Sequence, residues 1–298
     1  MVHLKNKTIV VTGAGRGIGA AVARACAALG ARVVVNDVDA APATVVAQEI
    51  REAGGEALAD HSDISTWDGA QALIRHCVEA FGGIQGLVNN AGIYRLGLPD
   101  ELPEHDLRAL VQVNLMGTLF CTTHAVPHLR AAGGGAIVNV TSGAQLGLPA
   151  MSVYGATKGA VAAYTYGCAV DLQADNIRVN AISPLAQTRM GQVNTDYYAR
   201  QDKVAPPIPN QPHDNAPAVC FLLSDQALGI TGQVLRIDGH NLCLMTHPAM
   251  LQPAHAVEPG SADSVARVFD QALRAALAPL GLAAVTATGV AGPRTTER

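Results

Sequence analysis

Strand-like and helix-like patterns alternate along the first 240 residues. Residues 8–11 (Thr-Ile-Val-Val) are a short β-branched run ending in a glycine-rich turn, and residues 18–29 follow with helical spacing of apolar positions. Residues 32–36 read as a second strand and 40–53 as a second helix closed by Gly54-Gly55. Further strands are expected over 57–59, 86–89, 136–140, 178–182 and 233–237, with helices over 67–81, 107–129, 153–173 and 216–223 between them. Short buried runs joined by helices predict an α/β fold: one doubly wound parallel sheet with helices on both faces. No repeat of solenoid period is visible.

Two segments break this rhythm. Residues 205–217 carry five prolines (Pro206, Pro207, Pro209, Pro212, Pro217), too many for a helix or a central strand. The chain is therefore expected to divide into a domain over 1–245 and a C-terminal extension over 246–298. The extension holds one predicted helix, with Pro259-Gly260 before it and Ser261 as N-cap. Val265, Val268, Phe269, Ala272 and Leu273 lie along one face of that helix. It is too small for a separate core, so it should pack on its own core or on a neighbouring subunit. The Gly/Ala/Thr-rich end should leave the last dozen residues mobile.

Composition narrows the class. Of 298 residues, 49% are hydrophobic and only 15% charged, against an average of about 25% charged. A disordered chain is excluded, and a net charge of −4 with scattered Lys and Arg gives no footprint for nucleic acid or an anionic membrane. Aromatics are 4%, so the core must be aliphatic and no distinctive stacking platform is expected. The cysteines at 26, 77, 121, 168, 220 and 243 form no Cys-x-x-Cys pair and mostly sit in apolar runs, which points to a reducing compartment. Polar Lys5-Asn6-Lys7-Thr8 leads straight into a strand, without a signal-peptide core, and no apolar run approaches the ~18 residues of a membrane span. A cytoplasmic protein is expected.

The chemistry gathers at a few points. Thr12-Gly13-Ala14-Gly15-Arg16-Gly17-Ile18-Gly19 joins the first strand to the first helix, where glycines let the backbone approach a pyrophosphate and the helix N-terminus supplies free N–H groups. A tight turn without ligand would also use such glycines. Twenty residues after Gly17, Asp37 ends the second strand, where its carboxylate can accept from both ribose hydroxyls of an adenosine, or cap the next helix. The coincidence favours NAD. A 2′-phosphate would meet Asp37 as a like charge, and only Arg16 could reverse the preference towards NADP. Tyr154 and Lys158 are four apart on a predicted helix, so they share a face. A close ammonium lowers a phenol's pKa and lets it act as acid or base on a secondary alcohol, although a surface Tyr–Lys pair has the same spacing. Ser142 follows the strand 136–140, and Asn114 is an amide inside a predicted helix.

In this order, Thr12-Gly13-x-x-x-Gly17-Ile18-Gly19, Asp63-Ile64, Asn89-Asn90-Ala91-Gly92, Asn114, Ser142, Tyr154-x-x-x-Lys158, Asn180-Ala181-Ile182-Ser183-Pro184, Phe221-Leu222-Leu223-Ser224-Asp225 and Thr231-Gly232-Gln233 resemble the short-chain dehydrogenase/reductase family over roughly residues 7–239. The resemblance implies a Rossmann-type sheet and an oxidoreductase. Tyr154 would be the general acid/base, and Lys158 would lower its pKa and hold the nicotinamide ribose. Ser142 would hydrogen-bond the substrate oxygen, and Asn114 would support a water-linked relay to Lys158. Gly13, Arg16, Gly17, Ile18, Gly19 and Asp37 would hold the adenosine diphosphate half of the cofactor, with Asp63 and Ile64 flanking adenine. Asn90, Ala91 and Gly92 would line the cofactor, and Thr188, after Pro184, would meet the carboxamide. Leu185 stands where the family usually has glycine, which puts the local backbone path in question.

Residues 180–190 and 231–248 are similar to the 3-hydroxyacyl-CoA and hydroxysteroid branch. Arg95, Arg189, Arg200 and Lys203 are candidate cations for a CoA substrate. The expected substrate is a hydrophobic secondary alcohol or ketone, with Tyr94 and Met151 as candidate pocket residues and 205–217 as a semi-rigid lid. His124 and His128 have the spacing of a metal pair but lack a third ligand, so no metal is expected. The resemblance places subunit contacts on the helices 107–129 and 153–173, and a homodimer or homotetramer is expected. A dinucleotide-binding protein without turnover is the alternative from a different class; the full Asn114, Ser142, Tyr154, Lys158 set favours the enzyme.

Overall fold

Alternating β-branched residues build a sheet that is buried on both sides. In the first strand, β1 (Thr8–Val11), Ile9 and Val11 face one helical layer and Val10 the other. In β2 (Arg32–Asn36), Val33 and Val35 share the first layer and Val34 the second. The structure, a computed structural model, describes residues 1–298 except 201, 206–207, 209, 239–240, 279–280 and 282–298. The remaining strands are β3 (Glu56–Asp60), β4 (Gly86–Asn89), β5 (Gly135–Val140), β6 (Ile177–Pro184), β7 (Val234–Ile237) and β8 (Leu242–Met245). They form one sheet in the order β3-β2-β1-β4-β5-β6-β7-β8. All neighbours are parallel except β7 and β8, which pair antiparallel. The doubly wound Rossmann-type fold is thus present, and its strand order reverses between β1 and β4.

Helices α1 (Gly17–Ala28), α2 (Ala40–Glu52), α3 (Trp67–Phe81), α4 (Glu104–Val111), α5 (Gly117–Ala131), α6 (Ser152–Asp171), α7 (Arg189–Ala199), α8 (Ala216–Leu223) and α9 (Ala262–Val268) connect the strands and end the chain. One core joins α1, α2 and α8 to the sheet, and a second joins α3, α5 and α6 to its opposite face. The second layer is pinned by a buried polar chain. Asn89 Nδ2 of β4 donates to Thr122 Oγ1 of α5 and to Asn139 Oδ1 of β5, and Asn139 Nδ2 donates to Thr165 Oγ1 of α6.

Three features depart from the expected pattern. The expected helix 107–129 is α4 and α5 joined by a π-helical stretch, Gln112–Met116, that contains Asn114. The continuous run Glu104–Ala131 is long enough to cross a membrane, and an 18-residue window of it has a mean hydropathy of 1.2; here α5 packs on α3, β4 and β5. α7 and β8 were not expected. α7 carries Met190, Val193 and Tyr197 at helical spacing, and Val193 and Tyr197 pack into an apolar cluster. β8 is foreshadowed by Asp238-Gly239 between two apolar runs, a hairpin signal.

Of the five prolines in 205–217, three lie outside the described residues. Pro212 opens a 3₁₀ turn and Pro217 sits in the first turn of α8, where a missing N–H costs nothing. Contacts divide the chain into Met1–Thr246 and His247–Arg298. In the second unit Ser261 caps α9, its hydroxyl accepting from Ser264 N–H at 3.1 Å, while Val265 is 53% exposed. The last dozen residues, expected to be mobile, lie outside the described residues.

Leu222 of α8 is fully buried in the first core. Leu222→Ala is expected to cost about 2–5 kcal/mol of unfolding free energy in urea titrations, the range for a buried leucine cavity.

Candidate active site

Strands β1 and β4 diverge at the point where the sheet order reverses, and their C-terminal ends are tied together side by side. Thr12 Oγ1 accepts from the N–H groups of Asn90 (3.1 Å) and Ala91 (3.0 Å), and Asn90 Nδ2 donates to the carbonyls of Thr12 (2.9 Å) and Gly13 (3.0 Å). Gly13 has φ +60°, and a methyl there would lie 2.7 Å from Ala91 Cα. Only glycine fits. The N-terminus of α1 has Arg16 as its cap residue, with no side-chain capping bond and no acid in its first turn. Free N–H groups with no competing carboxylate suit an anion. Across the turn, a methyl on Gly17 would meet Thr188 Cγ2 at 3.5 Å, so Thr188 borders the same crevice.

Asp37 lies beside this turn. Its Oδ2 accepts from Gly15 N–H and its Oδ1 from Asp39 N–H, both at 3.0 Å. Arg16 is paired with Asp39 at 2.7 Å. Asp63 is exposed and its carboxylate accepts from Ser65 N–H, while Ile64 is buried and packs towards Gly117. Leu185 is absent from the residues with positive φ, and its backbone is held by Ile237 O and Asn215 Nδ2. The leucine is therefore unstrained in place of glycine.

Tyr154 and Lys158 stand on one face of α6, 8% and 4% exposed. Lys158 Nζ donates to Val140 O at 2.7 Å and lies 5.9 Å from the centre of the Tyr154 ring. Burial pushes the Tyr154 phenol up to about 12, offset in part by a hydrogen bond with Ser142. Burial lowers the Lys158 ammonium to about 8. Desolvation is the larger effect on the phenol, and the Lys158 ammonium has the Val140 carbonyl as its hydrogen-bond partner. Ser142 Oγ accepts from Ala144 N–H at 3.2 Å. Both ends of the Asn114 amide are occupied. Oδ1 accepts from Ile93 N–H (2.7 Å), and Nδ2 donates to Ile93 O (3.0 Å) and Thr157 Oγ1 (3.2 Å). Its side chain fixes residues 92–93 beside Lys158.

Over Tyr154 lies a separate apolar cluster containing Tyr94, Leu96, Leu110, Met151, Val193 and Tyr197. Tyr94 meets Tyr154 edge-to-face at 4.9 Å, and Tyr197 meets Tyr198 at 5.9 Å. Four of the six tyrosines therefore gather here. Among the described residues, α7 contributes Val193 and Tyr197 to this cluster; residues 206, 207 and 209 of the expected lid lie outside the described residues. Of the cations considered for a CoA substrate, Arg95 is bound to Asp106 at 2.9 Å and Arg200 lies over the Tyr197 ring. His124 stacks on Trp67 at 4.3 Å.

The short chain dehydrogenase model matches residues 7–199. The chain belongs to the short-chain dehydrogenase family. Among curated relatives, a cis-4-hydroxycyclohexanecarboxylate dehydrogenase of Sinomonas cyclohexanicum is 41% identical over 78% of this chain and 95% of its own. A cyclohexanol dehydrogenase of an Acinetobacter strain is 35% identical over 78% and 94%. Among solved structures, a short-chain dehydrogenase from Mycobacterium avium has TM-score 0.81 at 34% identity, over 94% of this chain and 98% of that one. A 7α-hydroxysteroid dehydrogenase complexed with NADH and 7-oxoglycochenodeoxycholic acid has TM-score 0.73 at 32% identity, over 80% and 95%. Like these relatives, the chain is an oxidoreductase of a family that acts on alcohols and ketones and binds a nicotinamide dinucleotide.

The buried ammonium has a measurable consequence. Folded Lys158 releases its proton near pH 8, whereas an unfolded lysine holds it to about 10.5. Between these values the unfolded state binds more protons, so raising the pH stabilises the fold relative to a variant without the amine. From pH 8 to 10, unfolding free energies should move in favour of wild type over Lys158→Met by about 2 kcal/mol. The lost bond to Val140 O shifts the comparison equally at every pH.

Proposed function

We propose that this short-chain dehydrogenase transfers hydride between NAD and an apolar cyclic secondary alcohol or its ketone, with Tyr154 as general acid/base. The observation that carries the reading is the burial of Tyr154 and Lys158 on one helix face, beneath a tyrosine-lined apolar cluster. When bound, the nicotinamide supplies the hydride acceptor or donor. The Tyr154 hydroxyl takes the proton of the carbinol in oxidation and returns it in reduction. Ser142 donates to the same oxygen. Lys158, cationic below about pH 8, stabilises the phenolate once the cofactor is bound and hydrogen-bonds the nicotinamide ribose. Asn114 acts on this group through the loop it holds.

The glycine turn fits the pyrophosphate, with Gly13, Gly17, Ile18 and Gly19 presenting backbone. Asp63 and Ile64 flank adenine; Asn90, Ala91, Gly92, Pro184 and Thr188 line the rest. NAD is preferred over NADP on two counts. Asp37 offers a carboxylate to the ribose, and Arg16 is already neutralised by Asp39. The six-membered-ring alcohols named for the two cyclohexane relatives favour a cyclic substrate. The reading extends to a homodimer or homotetramer, since Val111 and Val170 on the outer helices are 42% and 75% exposed. It also extends to a reducing cytoplasm, which suits the unbonded thiols of Cys26 and Cys220, 3.8 Å apart.

Absorbance of the reduced cofactor tests the reading, with NAD⁺ or NADP⁺ and a panel of cyclohexanol, 4-hydroxycyclohexanecarboxylate, hydroxysteroids and 3-hydroxyacyl-CoA esters. Tyr154→Phe should lower kcat by about 10²–10⁴-fold while NAD⁺ still binds; unimpaired turnover would overturn the assignment. Asp37→Ser should narrow the NAD⁺ over NADP⁺ preference by about tenfold or more, because it removes a like-charge contact with the 2′-phosphate.

A further inference from the structure

The apolar cluster over Tyr154 contains one polar pair that the acid/base chemistry does not use. The Tyr94 hydroxyl donates to Asn194 Oδ1 of α7 at 3.0 Å, with Met151 Sδ at 3.6 Å on its other side. Tyr94 is rigidly mounted. Ile93 N–H is held by Asn114, Arg95 binds both Asp106 and the Tyr94 carbonyl, and Gly97 N–H donates to Ala150 O. Among the described residues, Asn194 Nδ2 donates to no group, although its residue is half-buried. With the hydroxyl donating to Oδ1, the two N–H donors of the amide have no acceptor among the described residues. A half-buried amide in an apolar wall has a strong preference for a ligand that completes its hydrogen bonds.

Tyr94 packs its ring edge-to-face on Tyr154, with ring centres 4.9 Å apart, and holds Asn194 at its para hydroxyl. One tyrosine ring thus links the Tyr154 ring to the amide, and the cyclic alcohols of the cyclohexane relatives suit a ligand laid along it. We propose that Tyr94 and Asn194 are the specificity-determining pair of the site: Asn194 Nδ2 donates to an acceptor oxygen carried across the ring from the reacting carbinol, and Tyr94 orients that amide. The substrate class is a cyclic secondary alcohol with a carboxylate or carbonyl at the far ring position. The assignment rests on the reading of Tyr154 as the group that meets the carbinol.

The test compares kcat/KM for cis-4-hydroxycyclohexanecarboxylate with that for cyclohexanol, at saturating NAD⁺, in the full chain. Wild type should prefer the acid. Asn194→Leu should lower the acid-to-cyclohexanol ratio by about 10–100-fold, the worth of a hydrogen bond to a charged group, and Tyr94→Phe by about two- to tenfold. A ratio that stays within twofold in Asn194→Leu, with both alcohols falling together, would show α7 packing alone and overturn the proposal. So would a wild type that prefers plain cyclohexanol. Tyr154→Phe separates the two readings, because it should slow both alcohols and keep the ratio. Undiminished turnover in that variant would strike at the acid/base reading while the ratio still reports on Asn194. If neither ring is turned over, calorimetric titration of the NADH complex with cyclohexanecarboxylate replaces the rate. Affinity weakened by the same factor in Asn194→Leu supports the pair, and unchanged affinity overturns it.

Discussion

The clamp between Thr12 and Asn90 is the contact on which the site depends. Where a parallel sheet reverses its strand order, the two central strands send their chains to opposite sides, and the peptide groups at their ends lose the neighbours that a continuing ladder would supply. Here one hydroxyl and one amide take up four of those groups. The clamp also brings Gly13 against Ala91 so closely that neither residue can move without the other. The floor of the crevice is therefore a single rigid piece made from two distant segments of sequence. The uncapped end of α1 opens onto it, and Thr188 borders its far side.

A second constraint acts one strand further along. Lys158 is an ammonium taken wholly out of water, a state that its bond to the last carbonyl of β5 only partly offsets. Tyr154 carries the opposite bias, since the same burial keeps its phenol neutral. The polar chain Thr122–Asn89–Asn139–Thr165 keeps α6 in register with the sheet. Asn114 does the same for the facing loop, from a π-helical stretch that turns its amide onto Ile93.

Most of this was legible in the residues, and what was not has a physical reason. Strands such as 8–11, 32–36 and 86–89 could be bounded to the residue because fully buried β-branched runs have few other homes. Glycines at 13 and 17, Asp37, Tyr154 and Lys158 were readable because each needs its residue type at its spacing. α7 was not legible. Its apolar spacing is short, Met190, Val193 and Tyr197 among mostly polar neighbours, and Val193 and Tyr197 pack into a cluster assembled from residues 93–154. Six tyrosines among 298 residues look sparse along the chain, yet the fold concentrates four of them at one place. Leu185 was read as a threat to the backbone path, whereas its φ is ordinary and its carbonyl and N–H are both held.

That concentration has a consequence for the chemistry. A core of Ala, Val, Leu and Ile excludes water but offers nothing that recognises shape, whereas tyrosine rings present large flat faces with few rotatable bonds. Gathering four of them in one place, Tyr154 included, takes its phenol out of water, which is why it stays neutral. The cluster reaches across to α7, whose Val193 and Tyr197 pack inward. The crevice between β1 and β4 and the tyrosine cluster beside α6 thus do different work: the first fixes backbone, and the second dries a side chain.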